Sequence, residues 1–562
     1  MSTQILCKIL KPNLPLKRSA WSSQAMLSLA LASLALRASC GSWAPVNQTF
    51  TNRLGLMLLL SDGSVMVQEY GGRNWFRLSP DAQGSYVHGT WTTMASMHDT
   101  RDAFSSVVLR DGRVFVAGGE YGSGASSAEL YNPLKNTWTY TRDLGVSFTD
   151  SMAKILPDGS VLVAPNGLTQ TCIYHPDSNR WTTNSGILAR QNEASWVKLP
   201  DQSILTVDPG SLVSERYIPS LGRWISDATV PTNLWIDLPG YGGGEIGPAL
   251  LLPNGKAFFL GGTSHTALYI PSGSTNPGTW MAGPDIWHGL SAADAPAAMM
   301  VNGKILCAVA DPPYVQSGQA VFPSPTSFVE YDPDANSFSP VSGPPGDATG
   351  PPQASTMLDL PDGTVLLSDT SDQLYIYDPQ DGPRSAAIPT ISSVGWSDAG
   401  SLHLAGTRFN GISEGAAFGD DAQMDSNYPL ARFADDDGNL QYGRTYNWSD
   451  TGVLTGDKIV STDAAIDWAL LRGAGPYSLS VVANGASSLP VSFNPPIWLD
   501  YSYPGPFRVG TYSFPYNSLS EALDNVSTGG AIAIKPGGAP ETLTITKPVK
   551  LFAVGGPVTI GR

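Results

Sequence analysis

The sequence predicts an all-β protein whose main part is a seven-bladed β-propeller. One unit recurs seven times between residues 43 and 382, with an apolar run, a tight turn, a second apolar run, a Tyr-x-Pro step and an aromatic residue. The 59 Gly and 45 Pro residues suit many short strands joined by turns. Units of about 50 residues cannot bury their own apolar faces, so they are expected to stack around an axis.

The tight turns lie between the two apolar runs of each unit. They are Ser61-Asp62-Gly63, Asp111-Gly112, Asp158-Gly159, Asp201-Gln202, Asn254-Gly255, Asn302-Gly303 and Asp362-Gly363. Asp-Gly and Asn-Gly pairs readily adopt the backbone conformation of a β-hairpin turn. Each unit is therefore predicted to be an antiparallel sheet.

An aromatic residue that ends each unit indicates how the ring closes. In the first six units it is Trp91, Trp138, Trp181, Trp224, Trp280 or Phe338. The seventh unit reaches Tyr377-Asp378-Pro379 without such a residue, whereas Trp43 stands in a matching pattern near the other end of the chain. We expect a propeller over residues 41–383 in which residues 41–47 supply the outer strand of the last blade, with Trp43 buried. This closure would remove an exposed sheet edge.

These units resemble kelch repeats. The best match is Arg101 to Gly119, which contains Arg-Asp-Ala-Phe-Ser-Ser, then Asp111-Gly112-Arg113-Val114-Phe115, then Gly118-Gly119. The whole pattern is similar to the propeller of the galactose oxidase and glyoxal oxidase group. This resemblance is specific for a kelch-type propeller fold and only weakly specific for function.

Two smaller parts are predicted after the propeller. Residues 388–495 contain short strand patterns and resemble the immunoglobulin-like β-sandwich that follows the propeller in the galactose oxidase group. Residues 503–562 resemble the first coil of a parallel β-helix, with a short helix near Leu519. One coil cannot stack on itself, so this segment either packs on the sandwich or is a remnant.

The first 40 residues are predicted to be a secretory signal. They carry five basic residues and no acidic one, and their apolar run over residues 25–36 is too short to span a bilayer. Cys40 suggests a lipoprotein box, but Arg37 occupies a position where that motif requires an apolar residue. We therefore expect a secreted or cell-surface protein without a membrane span, and lipid anchoring is the less favoured alternative.

Charge and cysteine content exclude several partners. The net charge is −16, and it becomes more negative without the basic leader, which disfavours nucleic acid and anionic membranes. Cys172 and Cys307 fall in the third and sixth units, too far apart for a disulfide. A monomer with two free buried thiols is expected.

The resemblance implies a copper centre with two tyrosines, two histidines and a tyrosine cross-linked to a cysteine. This chain departs from that pattern at every position. The positions that correspond to the copper and radical residues are Leu54, Ala103, Gln353, Ala354 and Gly419. Since these residues supply no suitable donor set, neither copper nor another cofactor is predicted.

Polar residues occupy the start of each inner strand instead. They are Arg53, Asp102, Asp150, Glu193, Glu245, Asp294 and Gln353. Such a ring at one mouth of the channel would favour a hard cation such as Ca²⁺, or a polyol. The structural alternative is that these side chains only cap strand ends.

Three further residues are candidates for the same site. His265 follows Gly261-Gly262, while Trp235 and Tyr241 lie on a long loop that could form an aromatic lid. The acidic run from Asp435 to Asn439 reads as a hairpin tip rather than as a calcium loop.

The predicted function is binding without catalysis, with an extracellular polysaccharide or a surface protein as the partner. One alternative is an oxidase of the galactose or glyoxal oxidase type. A second is a cation-dependent lyase or hydrolase that uses the acidic ring. A third is an adhesive module without a small-molecule cavity.

Overall fold

Seven antiparallel sheets form a ring of blades in the computed structural model, and the propeller prediction is confirmed. From the axis outward, the strands of the first three blades are Leu54–Leu59, Val65–Glu69, Trp75–Ser79 and Thr90–Thr93; Ser105–Val108, Val114–Ala117, Ala128–Asn132 and Thr137–Tyr140; and Met152–Ile155, Val161–Ala164, Gln170–His175 and Arg180–Gly186. Those of the next three are Trp196–Lys198, Ile204–Val207, Ser214–Ile218 and Arg223–Ser226; Ala249–Leu251, Ala257–Leu260, Thr266–Ile270 and Thr279–Ala282; and Ala297–Met299, Ile305–Val309, Ser327–Asp332 and Ser337–Val341. The seventh has Thr356–Asp359, Val365–Ser368 and Leu374–Asp378, completed by Ser42–Pro45.

The structure describes residues 41–47, 52–165, 167–241, 243–346, 349–397, 400–418, 423–471 and 475–561. The predicted secretory segment, with Cys40, and the position of Gly419 lie outside these residues. No helix within the described ranges is both long and apolar enough to cross a bilayer.

The hairpin turns adopt the backbone conformation that their sequences predict. Gly63, Gly112 and Gly159 have φ angles of 75°, 83° and 85°. In the fourth blade Gln202 takes the same left-handed conformation, with φ of 65°, at the place where the other units have glycine. The turn is therefore retained there at the cost of backbone strain.

The outer aromatic residues connect neighbouring blades. The Trp138 ring lies 5.9 Å from Trp75 of the preceding blade. The Trp224 and Trp280 indoles donate hydrogen bonds to Thr171 and to Ser214, again in the preceding blade. One repeated residue thus supplies apolar packing or a hydrogen bond between successive sheets.

The ring closes through the segment that starts the described chain. Ser42–Pro45 pairs with Leu374–Asp378, which places Trp43 opposite Tyr377 at a ring distance of 4.9 Å. The Trp43 indole also donates to the backbone oxygen of Ser342 at 2.6 Å. Trp43 is only partly buried, so the expectation of a buried residue was wrong. The reason is that an outer strand lies at the perimeter of the propeller.

Substitution of Trp43 by alanine is expected to lower the free energy of unfolding by about 2 kcal/mol, since it removes partly buried area and the indole hydrogen bond. Thermal melting followed by circular dichroism measures this loss. Trp43→Phe is the matched control and should retain most of the ring packing. A Trp43→Ala variant that melts like the parent would contradict closure by this residue.

An eight-stranded antiparallel sheet follows the propeller. Its strands are Thr390–Trp396, Leu402–Thr407, Leu430–Ala434, Leu440–Tyr446, Ile459–Ala465, Tyr477–Ala483, Ala486–Ser487 and Val491–Phe493. Its core contains Leu404, Phe433, Val460 and Leu479, all buried. It contacts the side of the propeller that carries the hairpin turns, where the Tyr428 hydroxyl donates to the backbone oxygen of Leu59.

The last part of the chain is a small parallel sheet. Its strands are Ile497–Leu499, Ala531–Ile534 and Lys550–Ala553, beside a parallel pair Gly537–Ala539 and Val558–Ile560 and a helix Leu519–Asn525. Ser518 caps this helix by accepting a hydrogen bond from the Glu521 backbone. Trp498 and Phe552 pack against Trp396 and Trp468 of the preceding part of the chain. Of the two alternatives, the structure shows this segment packed on the preceding part of the chain.

An axial hairpin, formed by Gly415–Ala417 and Gln423–Asp425, enters the propeller from the second part of the chain. Ala416 and Ala417 pair with the inner strand of the sixth blade. The hairpin also contacts the inner strands of the first, second, fifth and seventh blades. Glu414, at its base, accepts hydrogen bonds from Lys154 and from the Lys198 backbone in the third and fourth blades. The channel is therefore filled from the side that the eight-stranded sheet covers.

Candidate functional site

A cavity of about 740 Å³ occupies the opposite mouth of the propeller channel. The structure brings six of the seven predicted ring residues to its wall: Asp102, Asp150, Glu193, Glu245, Asp294 and Gln353. Phe418 of the axial hairpin also lines it. The cavity is thus open on one side and closed below by the hairpin.

A shared backbone conformation directs several of these side chains. Asp150, Glu193 and Asp294 have φ angles of 44°, 56° and 49°, and Ala103 in the second blade has 49°. Each lies two or three residues before an inner strand. A left-handed conformation is costly for residues other than glycine, by roughly 1–2 kcal/mol. The repeat therefore uses one strained position, four times, to aim a residue at the axis.

Arg53, the seventh predicted ring residue, does not line the cavity. Its guanidinium donates to the backbone oxygen and the hydroxyl of Thr370 at 2.7 and 2.9 Å, and it lies 4.5 Å over the Tyr70 ring. Arg53 thus joins the first blade to the seventh and supports Tyr70, which does line the cavity.

Three carboxylates converge on one side of the cavity. One oxygen each of Glu193, Glu245 and Asp294 lies within 4.8 Å of the other two. Carboxylate oxygens at this spacing could hold a hard divalent cation such as Ca²⁺. The negative charges also act on a nearby tyrosine. Burial first, and then the charges of Glu120, Glu245 and Glu193, raises the pKa of Tyr241.

A second pair faces the cavity from the first two blades. Tyr70 donates a hydrogen bond to the Asp102 carboxylate. Burial raises the pKa of Asp102, although this hydrogen bond and the nearby Arg53 charge oppose the shift. Burial and Asp102 also raise the pKa of Tyr70, so its phenol stays protonated and able to donate.

Sequence reasoning missed several lining residues. Glu120, which directly follows Gly118-Gly119 in the second blade, lines the cavity. Burial first, and then the Glu120 charge, raises the pKa of the adjacent Tyr121. A hairpin of Tyr314–Gln316 and Gln319–Val321 overhangs the cavity from the sixth blade. The signal for this hairpin was the long interval between the second and third strands of that blade, from Val309 to Ser327.

The two residues of the predicted aromatic lid lie in different surroundings. Ile236–Leu238 pairs with Gly243–Glu245 in a hairpin before the fifth blade, and Tyr241 at its tip lines the cavity. Trp235 instead packs against the core between the fourth and fifth blades. Trp235 is partly buried there and is not among the described residues that line the cavity.

Two other candidates lie outside the cavity. His265 sits at the start of the third strand of the fifth blade, with Nδ1 2.8 Å from Asp285. Asp435 accepts hydrogen bonds from the backbone of Asp437 and Asn439 and from the Asn439 amide, which is the geometry of a hairpin tip. Its carboxylate is thus committed to the turn.

The positions that would carry copper ligands are also located. Ala103, Gln353 and Ala354 line the cavity, whereas Leu54 is buried in the inner strand of the first blade. Gly419 falls outside the described part of the axial hairpin. The cavity wall at these three positions is therefore methyl groups and one amide.

Comparison with known proteins agrees with the repeat. Residues 103–145 match the Kelch motif. A 119-residue stretch is 32% identical to the F-box/kelch-repeat protein SKIP30 of Arabidopsis thaliana, covering 20% of this chain. The chain spans 34% of the length of that relative.

Two solved structures are similar in shape. A fungal alcohol oxidase of the AA5 family in complex with copper has a TM-score of 0.48 at 14% identity, covering 81% of this chain and 99% of the other. A catalytically inactive virginiamycin B lyase from Staphylococcus aureus with quinupristin has a TM-score of 0.41 at 10% identity, covering 60% and 99%.

Proposed function

We propose that the open mouth of the propeller binds carbohydrate and does not catalyse a reaction. The observation that carries this proposal is the composition of the cavity wall. Carboxylates from five blades and the tyrosines Tyr70, Tyr121 and Tyr241 line this cavity of about 740 Å³. Carboxylates accept hydrogen bonds from sugar hydroxyls, and tyrosine rings stack on the apolar faces of sugars. A cavity of this size holds one or two sugar units.

The charge of the cavity narrows the ligand class. Neither lysine nor arginine is among the described residues that line it. Uronic acids and sulfated sugars would be repelled, so a neutral or amine-bearing sugar is the expected ligand. The Glu193, Glu245 and Asp294 oxygens favour a Ca²⁺ ion as an additional ligand that could bridge to sugar hydroxyls.

The residues present do not fit copper. Ala103 and Ala354 have no ligand atom, and the amide of Gln353 is a poor substitute for imidazole or phenolate. An oxidoreductase is for this reason the less favoured alternative. A cation-dependent enzyme would rely on the same three carboxylates, and metal-dependent turnover of a glycan would distinguish it.

We further propose that the protein is secreted and that the eight-stranded sheet is immunoglobulin-like. Support for secretion comes from the basic, apolar leader. Support for the second point comes from the antiparallel strand order of the sheet, which lies within residues 388–495.

Loss of Glu245 and Asp294 is expected to weaken binding of a neutral glycan by at least about tenfold, since each carboxylate accepts charge-assisted hydrogen bonds. A glycan array identifies the sugar, and titration calorimetry with and without Ca²⁺ measures the affinity for the parent and for Glu245→Ala and Asp294→Ala. Asp177→Ala is the control because Asp177 lies outside the cavity and is highly exposed. Equal affinities for all four proteins, or no glycan bound, would rule out this site.

A further inference from the structure

We propose a second sugar-binding position on the rim of the fifth blade, so that the ligand is an oligosaccharide or polysaccharide rather than a single sugar. This inference rests on the proposed function of the cavity. It is carried by two pairs of side chains that the cavity does not use. The stacked pair is Trp287 and His288, and the polar pair is His265 and Asp285.

The stacked pair presents an aromatic surface to solvent. Trp287 and His288 belong to a single 3₁₀ turn, and their rings lie 4.7 Å apart at an angle of 24°. His288 has a φ of 57°, a strained conformation that lets two consecutive rings stack. Trp287 is 38% exposed, although tryptophan is usually well buried. A flat, exposed aromatic surface of this kind suits the apolar face of a sugar ring.

The polar pair lies beside this surface. His265 Nδ1 is 2.8 Å from the Asp285 carboxylate, and both side chains are about half exposed or more. The backbone of Ile286 donates to Ser264 at 2.7 Å, which fixes the segment before Trp287 next to His265. When Nδ1 donates to Asp285, the other ring nitrogen of His265 can accept a hydrogen bond from a sugar hydroxyl. Aromatic and polar groups thus occur together, as sugar recognition requires.

One chain segment connects this rim position with the cavity. The segment after Ala282, at the end of the outer strand of the fifth blade, leads to Ala297, where the inner strand of the sixth blade begins. It carries Trp287 first and then Asp294, whose carboxylate lines the cavity. Both positions therefore lie on the open face, at the two ends of the same crossing. A linear glycan along this crossing would occupy both.

The exposed rings lie outside the core clusters of the blades. Ile286, next to Trp287, is buried and packs into the core of the fifth and sixth blades. Substitution of Trp287 is therefore expected to leave the protein folded, and a loss of binding can be read as loss of a ligand contact.

The test measures how affinity depends on ligand length. Calorimetry with β-1,4-linked glucose and mannose oligomers of one to six units is expected to show tighter binding of hexamers than of monomers, and Trp287→Ala should remove about tenfold of that gain. The monosaccharide affinity should not change. Phe507→Ala removes an exposed aromatic from the C-terminal segment and is the control.

The outcomes separate this inference from the proposed function. A hexamer that binds the parent no tighter than the monomer, or a gain that survives in Trp287→Ala, overturns the rim position and leaves the cavity as a monosaccharide site. Absence of binding by every oligomer and every array glycan overturns both. Loss of monosaccharide binding in Glu245→Ala together with loss of the length gain in Trp287→Ala supports both.

Discussion

Replacement of Glu414 by alanine is expected to destabilise the protein by about 3–5 kcal/mol, the usual cost of leaving buried charges without their partner. The Glu414 carboxylate accepts a hydrogen bond from Lys154 Nζ at 2.8 Å and one from the Lys198 backbone at 3.0 Å. Lys198 Nζ lies 3.9 Å from its other oxygen. The side chains of both lysines are almost fully buried, so that water cannot replace the carboxylate.

The protonation equilibria agree with this arrangement. Burial alone would raise the pKa of Glu414, but the Lys154 and Lys198 charges outweigh it and hold that pKa below its usual range. Burial lowers the pKa of Lys198, and Glu414 opposes this shift. Without Glu414, the two lysines lose their hydrogen-bonded carboxylate, and Asp425, buried in the same cluster, is left to balance their charges.

Chemical denaturation of the parent and Glu414→Ala measures the loss. Asp457→Ala is the matched control, since Asp457 pairs with Arg408 at 3.4 Å but is 89% exposed. Removal of such a surface pair costs at most about 1 kcal/mol. Equal losses in the two variants would show that Glu414 does not anchor the axial hairpin.

The second large effect concerns pH. We expect the protein to lose stability as the pH rises from about 4.5 to about 8, because Glu215 is buried with a second carboxyl group. Burial first, and then repulsion from Asp208, raises the pKa of Glu215 from 4.5 to about 8. The Leu188 backbone donates to Glu215 at 2.6 Å, and the Gln191 amide donates to Asp208 at 3.3 Å. The causes that dominate the two pKa shifts are burial, the other carboxyl group and hydrogen bonds, and no lysine or arginine charge is among them.

The second blade explains why this pair is unusual. There the equivalent glutamate, Glu129, accepts a hydrogen bond from Arg101 at 3.0 Å, and both side chains are buried. Gln191 occupies the position of that arginine in the fourth blade. Glu215 thus occupies the same buried position of the repeat without an arginine partner, and it shares a hydrogen bond with Asp208 instead.

The sign of the pH effect follows from the direction of the shift. The folded state holds the Glu215 proton more tightly than the unfolded chain, so this stabilisation is complete below pH 4.5 and is lost as the pH passes 8. The loss is on the order of 3–5 kcal/mol. Asp425, whose pKa burial raises to about 6, acts in the same direction at lower pH. Burial also raises the pKa of Asp359, so the contribution of Glu215 is read from variants at its own site.

Denaturation at pH 6.5 and pH 8.5 tests this prediction with two reciprocal variants. Gln191→Arg should supply the missing cation and flatten the pH dependence. Arg101→Gln should impose a similar dependence on the second blade, with a greater loss at pH 8.5 than at pH 6.5. A parent protein that is equally stable at both values would contradict the shifted pKa.

The sequence was sufficient for features that the repeat determines. Seven sheets, the closing strand at Trp43 and six residues of the ring follow from the phase of one unit, since each lies at a fixed distance from a turn. Arg53 lies at the same distance from its turn, but its side chain does not line the cavity. At the junction of the first and seventh blades its guanidinium donates to the backbone oxygen of Thr370 instead.

Features that depend on distant pairing could not be predicted. Ala297 pairs with Ala417, and no local pattern at either position indicates a partner 120 residues away. The same holds for Lys154 and Glu414, where a lysine in an apolar strand gave no sign of its carboxylate. The rim position of Trp287 was also missed, since an isolated tryptophan in a turn does not differ in sequence from a packed one.

The axial hairpin has a consequence for exchange kinetics. Phe418 and the strands of the axial hairpin close the far end of the channel. A ligand therefore enters and leaves the cavity through the same opening. A bound oligomer must therefore dissociate through this opening before the next oligomer can bind. An oligosaccharide that is also bound at the rim would dissociate slowly, even if its affinity for each of the two positions is low.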